Sequence, residues 1–250
     1  MGVSIEPLIC GHLTAGLSAF ESGATDGSVT LPVPAWLIRH RRGLVLFDCG
    51  MHPDLSRDTP MRERVSRNFE VDMGPGETLR RRLADRQVDV TDIAVVVLSH
   101  LHFDHAGGLV QIPDARVVVQ EAEWAAGLDD ELRRGNGFRR GDYDLGHEVL
   151  TISGDHDLFG DGTVVCLSTP GHTPGHQSLR LQLDSGEVVL CADCAYFERT
   201  LAGGPLPPFG HDTAQQARSI ARLIDHRRAG SRLIPGHDTT TLHALPEQLT

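Results

Sequence analysis

The sequence predicts an α/β fold, an αββα sandwich in which two mixed sheets pack face to face with helices outside. Three observations carry this expectation. Short β-branched runs fall into two groups, amphipathic stretches lie between and after them, and no tandem repeat or linker-like segment divides the 250 residues. One domain spanning 1–250 is therefore expected, because a layered core can absorb that length.

The elements follow in chain order. Val33 to His40 and Leu44 to Asp48 read as a hairpin around the charged turn Arg41-Arg42-Gly43. Thr78 to Arg86 reads as a helix. The run Ile93-Ala94-Val95-Val96-Val97-Leu98 is too short and too β-branched for a helix, so it reads as a buried strand delivering the chain to Ser99-His100. A strand is expected at Arg116 to Gln120, then a helix from Glu121 containing Trp124. Asp129 to Gly146 is polar and glycine-rich and reads as a surface loop, either a wall for a substrate or a mere connection. Strands return at Thr163 to Ser168, Gln177 to Leu183 and Glu187 to Cys191, the last two joined by the turn Asp184-Ser185-Gly186. In Asp212 to Ala229, Ala217, Ile220, Ala221 and Ile224 recur at helical spacing. His226, Arg227 and Arg228 suit the C-terminal end of that helix dipole, and Gly230 can end it. A short strand, Arg232-Leu233-Ile234, leads into Pro235-Gly236-His237.

Charge narrows the possible partners. A formal net charge of −11 argues against nucleic acid, whose affinity comes mainly from Lys and Arg displacing counterions. No segment approaches the roughly 18 apolar residues of a membrane span, and the start of the chain lacks a basic stretch followed by an apolar one. The five cysteines have no secreted-framework spacing and are expected to be reduced thiols in a cytoplasmic protein. Cys191 and Cys194 straddle Asp193 at a strand end with no thioredoxin-like helix after them, so a redox pair is not expected.

The chemistry concentrates in Ser99-His100-Leu101-His102-Phe103-Asp104-His105-Ala106-Gly107-Gly108, which sets four metal-ligand side chains directly after a buried strand. Imidazole and carboxylate are the donors zinc accepts. His100 and His102 share one side of an extended chain, and a turn at Phe103 aims Asp104 and His105 at a second point. Two ions need further donors, and His172, Asp193 and His237 each stand just past a predicted strand beside glycine or alanine. A lone histidine at a turn is usually a surface residue, and His12, His40, His52, His147, His156, His211, His226 and His243 are read that way. His176 is read as structural or as a support for a ligand, since a set of protein ligands bridged by Asp193 is already complete.

At these residues the sequence resembles the metallo-β-lactamase superfamily, and within it the N-acyl-homoserine lactonases. The likeness runs from Phe47-Asp48-Cys49-Gly50 through Gly236-His237. It includes the whole Ser99 to Gly108 run, Thr169-Pro170-Gly171-His172-Thr173-Pro174-Gly175-His176, and a tyrosine, Tyr196, three residues after Asp193. The resemblance implies two zinc ions per chain, or other divalent transition metals, with His100, His102 and His172 on one, Asp104, His105 and His237 on the other, and Asp193 bridging. It implies hydrolysis of a lactone ester by a metal-bridging hydroxide, a small-molecule lactone as partner and a possible homodimer. Tyr196 would donate to the developing oxyanion, and Asp104 or Asp193 would carry a proton to the ring oxygen.

Other branches of the superfamily fit less well. True class B β-lactamases carry a secretion signal and a cysteine ligand, and glyoxalase II adds a C-terminal helical domain, where only 13 residues follow His237 here. Pyridoxolactonases and organophosphate hydrolases share nearly the same ligands and stand as alternatives. For the acyl chain, Phe20, Met51, Met61, Phe69, Met73 and Phe138 are candidates for an apolar groove, with contacts expected within Met51 to Gly76.

Overall fold

The computed structural model describes residues 2–250. Strands β1 (Ser4–Gly16), β2 (Ser28–His40), β3 (Gly43–Phe47), β4 (Glu70–Asp72), β5 (Ile93–Val97), β6 (Arg116–Gln120) and β7 (Val149–Ile152) form one sheet in the order β4-β1-β2-β3-β5-β6-β7. Pairing is antiparallel from β4 to β3 and parallel from β3 to β7. Strands β8 (His156–Asp157), β9 (Val164–Ser168), β10 (Gln177–Leu183), β11 (Gly186–Leu190) and β12 (Arg232–Ile234) form the second sheet, antiparallel except where β12 runs parallel to β11.

Strand alternation sorts side chains into layers. On β2, Trp36 and Ile38 face the second sheet and meet Leu179, Leu181, Val188 and Ile234, while Ala35 and Leu37 point the other way. That outer face is covered by helices Leu79–Asp85 and Glu121–Leu128, through Leu79, Leu83 and Ala126. Helix Thr213–Arg228 covers the outer face of the second sheet, its Ile220 and Leu223 packing on Val165, Leu167 and Val189. The Asp212 side chain accepts the Gln215 N–H and caps that helix. The layers are those the sequence predicts, α, β, β, α.

Two departures from expectation bear on the site. The first strand, β1, was not predicted: Pro7 and Gly11 interrupt its apolar pattern, the register to β2 slips between Ile9 and His12, and Gly11 takes a φ of 95°. Asp129 to Gly146 is not a simple surface loop. Asp129 accepts from the N–H groups of Glu131 and Leu132 and starts helix Asp130–Gly135, and beyond it Phe138, Asp142 and Tyr143 are buried. Tyr143 donates to the Gly127 carbonyl at 2.6 Å, which pins the segment to helix Glu121–Leu128.

Candidate metal centre

The strand ends of both sheets meet at one edge of the sandwich. The chain leaves β5 for Ser99 to His105, β9 for the turn at His172, β11 for Asp193 and β12 for His237. Ala192, immediately before Asp193, holds a φ of 46°, a conformation costly for any residue with a Cβ. Gly236 makes room for it, because a Cβ there would lie 2.6 Å from the Ala192 carbonyl oxygen.

All seven predicted side chains converge. His100, His102, His172 and Asp193 offer donor atoms within 4.8 Å of one another, and so do Asp104, His105 and His237. Asp193 lies between the groups. Its Oδ1 is 2.9 Å from His237 Nε2 and 3.2 Å from His105 Nε2, and its Oδ2 is 3.3 Å from His172 Nε2 and 3.7 Å from His100 Nε2. One carboxylate therefore faces both groups, one oxygen to each.

Hydrogen bonds behind the imidazoles fix which nitrogen carries the proton. His105 Nδ1 donates to Asp48 Oδ2 at 2.8 Å, His237 Nδ1 to the Pro32 carbonyl at 2.8 Å, and His102 Nε2 to the Asn136 carbonyl at 2.8 Å. Ser99 Oγ gives its own proton to Asp48 at 2.8 Å and so accepts from His100 Nδ1 at 2.9 Å. In each ring the other nitrogen is left with its lone pair aimed into the bowl. There His102 Nδ1 meets His100 Nε2 at 2.9 Å and His172 Nε2 at 3.0 Å, and His105 Nε2 has no hydrogen-bond partner among the described residues. Lone pairs facing lone pairs and carboxylates is an arrangement that a cation between them satisfies, and the donor set suits a borderline divalent metal.

The electrostatics agree. Burial holds His100 and His172 well below the ordinary imidazole range and lowers His102, so these rings stay neutral and available as donors. Burial also opposes charge on His105 and His237, but Asp193 outweighs it, with Asp104 and Asp48 adding to the pull on His105. The carboxylates thus demand positive charge at the second group. Burial works against the Asp193 carboxylate too, yet His105 and His237 hold it well below its usual range.

The other predicted residues divide. Tyr196 is buried beside the bowl, its ring stacked on His237 at 5.3 Å and edge-on to His172 at 5.8 Å. Burial, then the Asp193 charge, push its hydroxyl well above the ordinary phenol value, so it stays a proton donor. His176 joins neither group. It packs behind His100 at 5.3 Å and bonds Thr169 through Nδ1, and burial pushes it down to about 3. All five cysteines are unpaired and buried. Among the described residues no helix is long and apolar enough to cross a membrane.

A cavity of about 390 Å³ opens onto Asp104, His102, Asp193 and Tyr196. Its apolar wall is Leu13, Phe20, Leu31, Val65, Phe69, Phe103 and Phe209, and its rim carries Arg64, Asn68 and Arg139. Of the groove candidates only Phe20 and Phe69 line it. Met51, Met73 and Phe138 are core residues instead, filling space around the cavity or beneath His102, and Met61 packs behind the wall. Leu13, Leu31, Val65 and Phe103 line it without having been candidates, and two further contributors escaped the sequence reading. Asp48, which orients His105 and Ser99, was noted only as part of a motif, and Phe209 sits in a proline-rich stretch with no periodic signal.

Comparison with known proteins fits this geometry. Residues 29–237 match the metallo-beta-lactamase superfamily. The chain is 32% identical over 216 residues to the N-acyl homoserine lactonase AttM of Azorhizobium caulinodans, covering 83% of this chain and 82% of the relative. It is 30% identical over 234 residues to the N-acyl homoserine lactonase AiiA of Bacillus thuringiensis subsp. kurstaki, covering 88% and 87%. A solved N-acyl homoserine lactone hydrolase, with its product N-hexanoyl-L-homoserine bound at the catalytic metal centre, superposes with a TM-score of 0.84 over 98% of each chain at 27% identity. The chain belongs to the metallo-beta-lactamase superfamily and, within it, to the N-acyl homoserine lactonase family.

Proposed function

We propose that this protein is a metal-dependent, quorum-quenching hydrolase that opens the ring of N-acyl homoserine lactones. The observation that carries this reading is the inward aim of the imidazole lone pairs around Asp193, beside a cavity whose far wall is apolar. We assign His100, His102 and His172 to one cation, Asp104, His105 and His237 to a second, and Asp193 to both; zinc suits these donors. Two such cations supply Lewis acidity at the ester carbonyl and lower the pKa of water to near neutrality.

The chain's own groups do the rest. The apolar wall from Phe20 to Phe209 buries an acyl chain and leaves the lactone at the bowl. Tyr196, kept protonated, donates to the carbonyl oxygen as negative charge grows on it. Asp104, which lines the cavity, is placed to take the proton that the attacking water gives up and to pass it to the ring oxygen as the C–O bond breaks. Water and lactone together give the open N-acyl-homoserine. A cytoplasmic location accords with five unpaired cysteines.

Metal analysis of the purified protein should return about two ions per chain, and a chelator should abolish activity. A proton-release assay then compares homoserine lactones with pyridoxolactone and paraoxon. Turnover of homoserine lactones supports the reading; a well-folded, metal-free protein defeats it, and activity on only one of the other two substrates replaces it with that reaction.

A further inference from the structure

Glu123, in the first turn of helix Glu121–Leu128, is fully buried, and no ion-pair partner faces it among the described residues. An isolated buried carboxylate costs several kcal/mol unless hydrogen bonds compensate. Here they come from two loops. Oε1 accepts the Leu101 N–H at 3.0 Å, and Oε2 accepts the Gly175 N–H at 2.8 Å. Leu101 stands between His100 and His102. Gly175 belongs to the turn that carries His172, closed on itself by Thr169 N–H to the His176 carbonyl at 3.0 Å and Gly171 N–H to the Thr173 carbonyl at 3.0 Å. The approach is tight enough that a Cβ on Gly175 would lie 2.3 Å from the Glu123 nitrogen.

We propose that Glu123 is a positioning residue whose carboxylate sets the separation of the loops bearing His100, His102 and His172, and through it the affinity of that nitrogen group for a divalent cation. The inference rests on the metal reading above. It bears on one group, because Glu123 reaches only the loops that carry His100, His102 and His172, and does so through backbone, whereas Asp48 touches the His105 ring directly and reaches His100 only by way of Ser99. The remaining bracket between these loops is neutral. Gln177 donates from its backbone N–H to the Ser99 carbonyl at 2.9 Å and from its side chain to the Leu98 carbonyl at 2.8 Å, so Glu123 is the acidic half of the clamp, its carboxyl pushed up to about 7 by burial.

Glu123→Gln keeps the shape but turns one acceptor into an amide donor, which meets a backbone N–H head-on. The test is cobalt titration of the metal-free full chain against a chromophoric chelator, read by the visible cobalt spectrum. Wild type should take up two ions. In the variant one should bind as before and the other about 10- to 100-fold more weakly, the usual cost of losing a group that orients a ligand. The loss should persist in a His237→Ala background, which leaves the first group intact, and vanish in a His102→Ala background. Should E123Q not fold, Glu123→Asp, which keeps the carboxyl but not the reach, carries the same expectation. Unchanged affinities in the variant, or equal weakening at both groups, overturn the inference. A wild-type protein that takes up no cobalt overturns the metal reading beneath it.

Discussion

The bowl of imidazoles and the apolar wall beside it are built by opposite means. Every predicted ligand in the bowl stands on a short turn at the end of a strand, with a hydrogen bond behind four of its five rings. The wall is assembled from β1, β2, the helix Pro60–Val65, and the segments around Phe20, Phe69 and Phe209, with Phe103 alone coming from the ligand run. In the bowl, backbone geometry dictates where each donor lies. Along the wall, side chains meet by packing alone, and one of them, Phe209, is 41% exposed. The difference separates the reacting centre, which is over-determined, from the surface proposed to take an acyl chain, where each side chain is placed by its own packing.

That contrast can be broken most severely at Asp193. Replacing Asp193 with Asn removes the charge both groups share, so we expect kcat/KM to fall by well over the ~100-fold that losing a ligand-orienting group costs, with metal content falling in parallel. Metal analysis alongside lactone kinetics checks both, and retention of two ions with normal turnover would show that the carboxylate is not shared. Tyr196→Phe should come next. It removes one donor to the oxyanion and no ligand, so kcat should drop by roughly 100-fold, the cost of one such hydrogen bond, while both metals stay. Unchanged kcat would take the hydroxyl out of the reaction.

The same contrast explains what the sequence disclosed. Ligands crowded after a β-branched run announce themselves, because few structural needs place His100, His102, Asp104 and His105 so close together, and the strands that carry them followed from strand-length runs punctuated by glycine, whereas β1, β4, β7 and β8 did not. The wall gave no such signal. Leu13 and Leu31 are ordinary alternating strand residues whose face cannot be assigned until the register is known, and Leu13 lies on a strand hidden by Gly11 and Pro7. Met51 and Met73 looked equally suitable for a groove yet pack in the core, since apolarity alone does not say which side of a layer a residue takes. Glu123 was invisible for a related reason: an acid in a first helical turn reads as a solvated residue favoured by the helix dipole, and only the approach of two distant loops makes it a clamp.

Predictions along the wall are smaller and fall on KM. Phe69 is half-buried and leans on Phe20 at 6.5 Å and Phe103 at 5.8 Å. Phe69→Ala should raise KM for long-chain substrates about tenfold, equivalent to roughly 1.4 kcal/mol, and should also lower Tm, because the ring serves both the cavity and the apolar cluster behind it. A lower Tm with unchanged KM would make it a core residue only.

Phe209 gives the mildest and most discriminating test. Its ring touches Phe20 at 6.3 Å and the His172 and Tyr196 rings at 6.1 and 6.5 Å, yet a large part of it faces solvent at the cavity mouth. The loop that carries it is anchored by backbone, with the His211 and Asp212 N–H groups donating to the His172 and Gly171 carbonyls. Truncating the ring should therefore leave His172 in place. Phe209→Ala should keep stability within about 0.5 kcal/mol and kcat near wild type. KM should rise a few-fold for long acyl chains and not for short ones, because only a long chain reaches that ring and buries its exposed face. Stopped kinetics on a homologous acyl series decide it. A uniform rise across the series would place Phe209 over the lactone rather than the tail, and a fall in kcat would mean that the wall and the bowl are mechanically joined through the His172 turn.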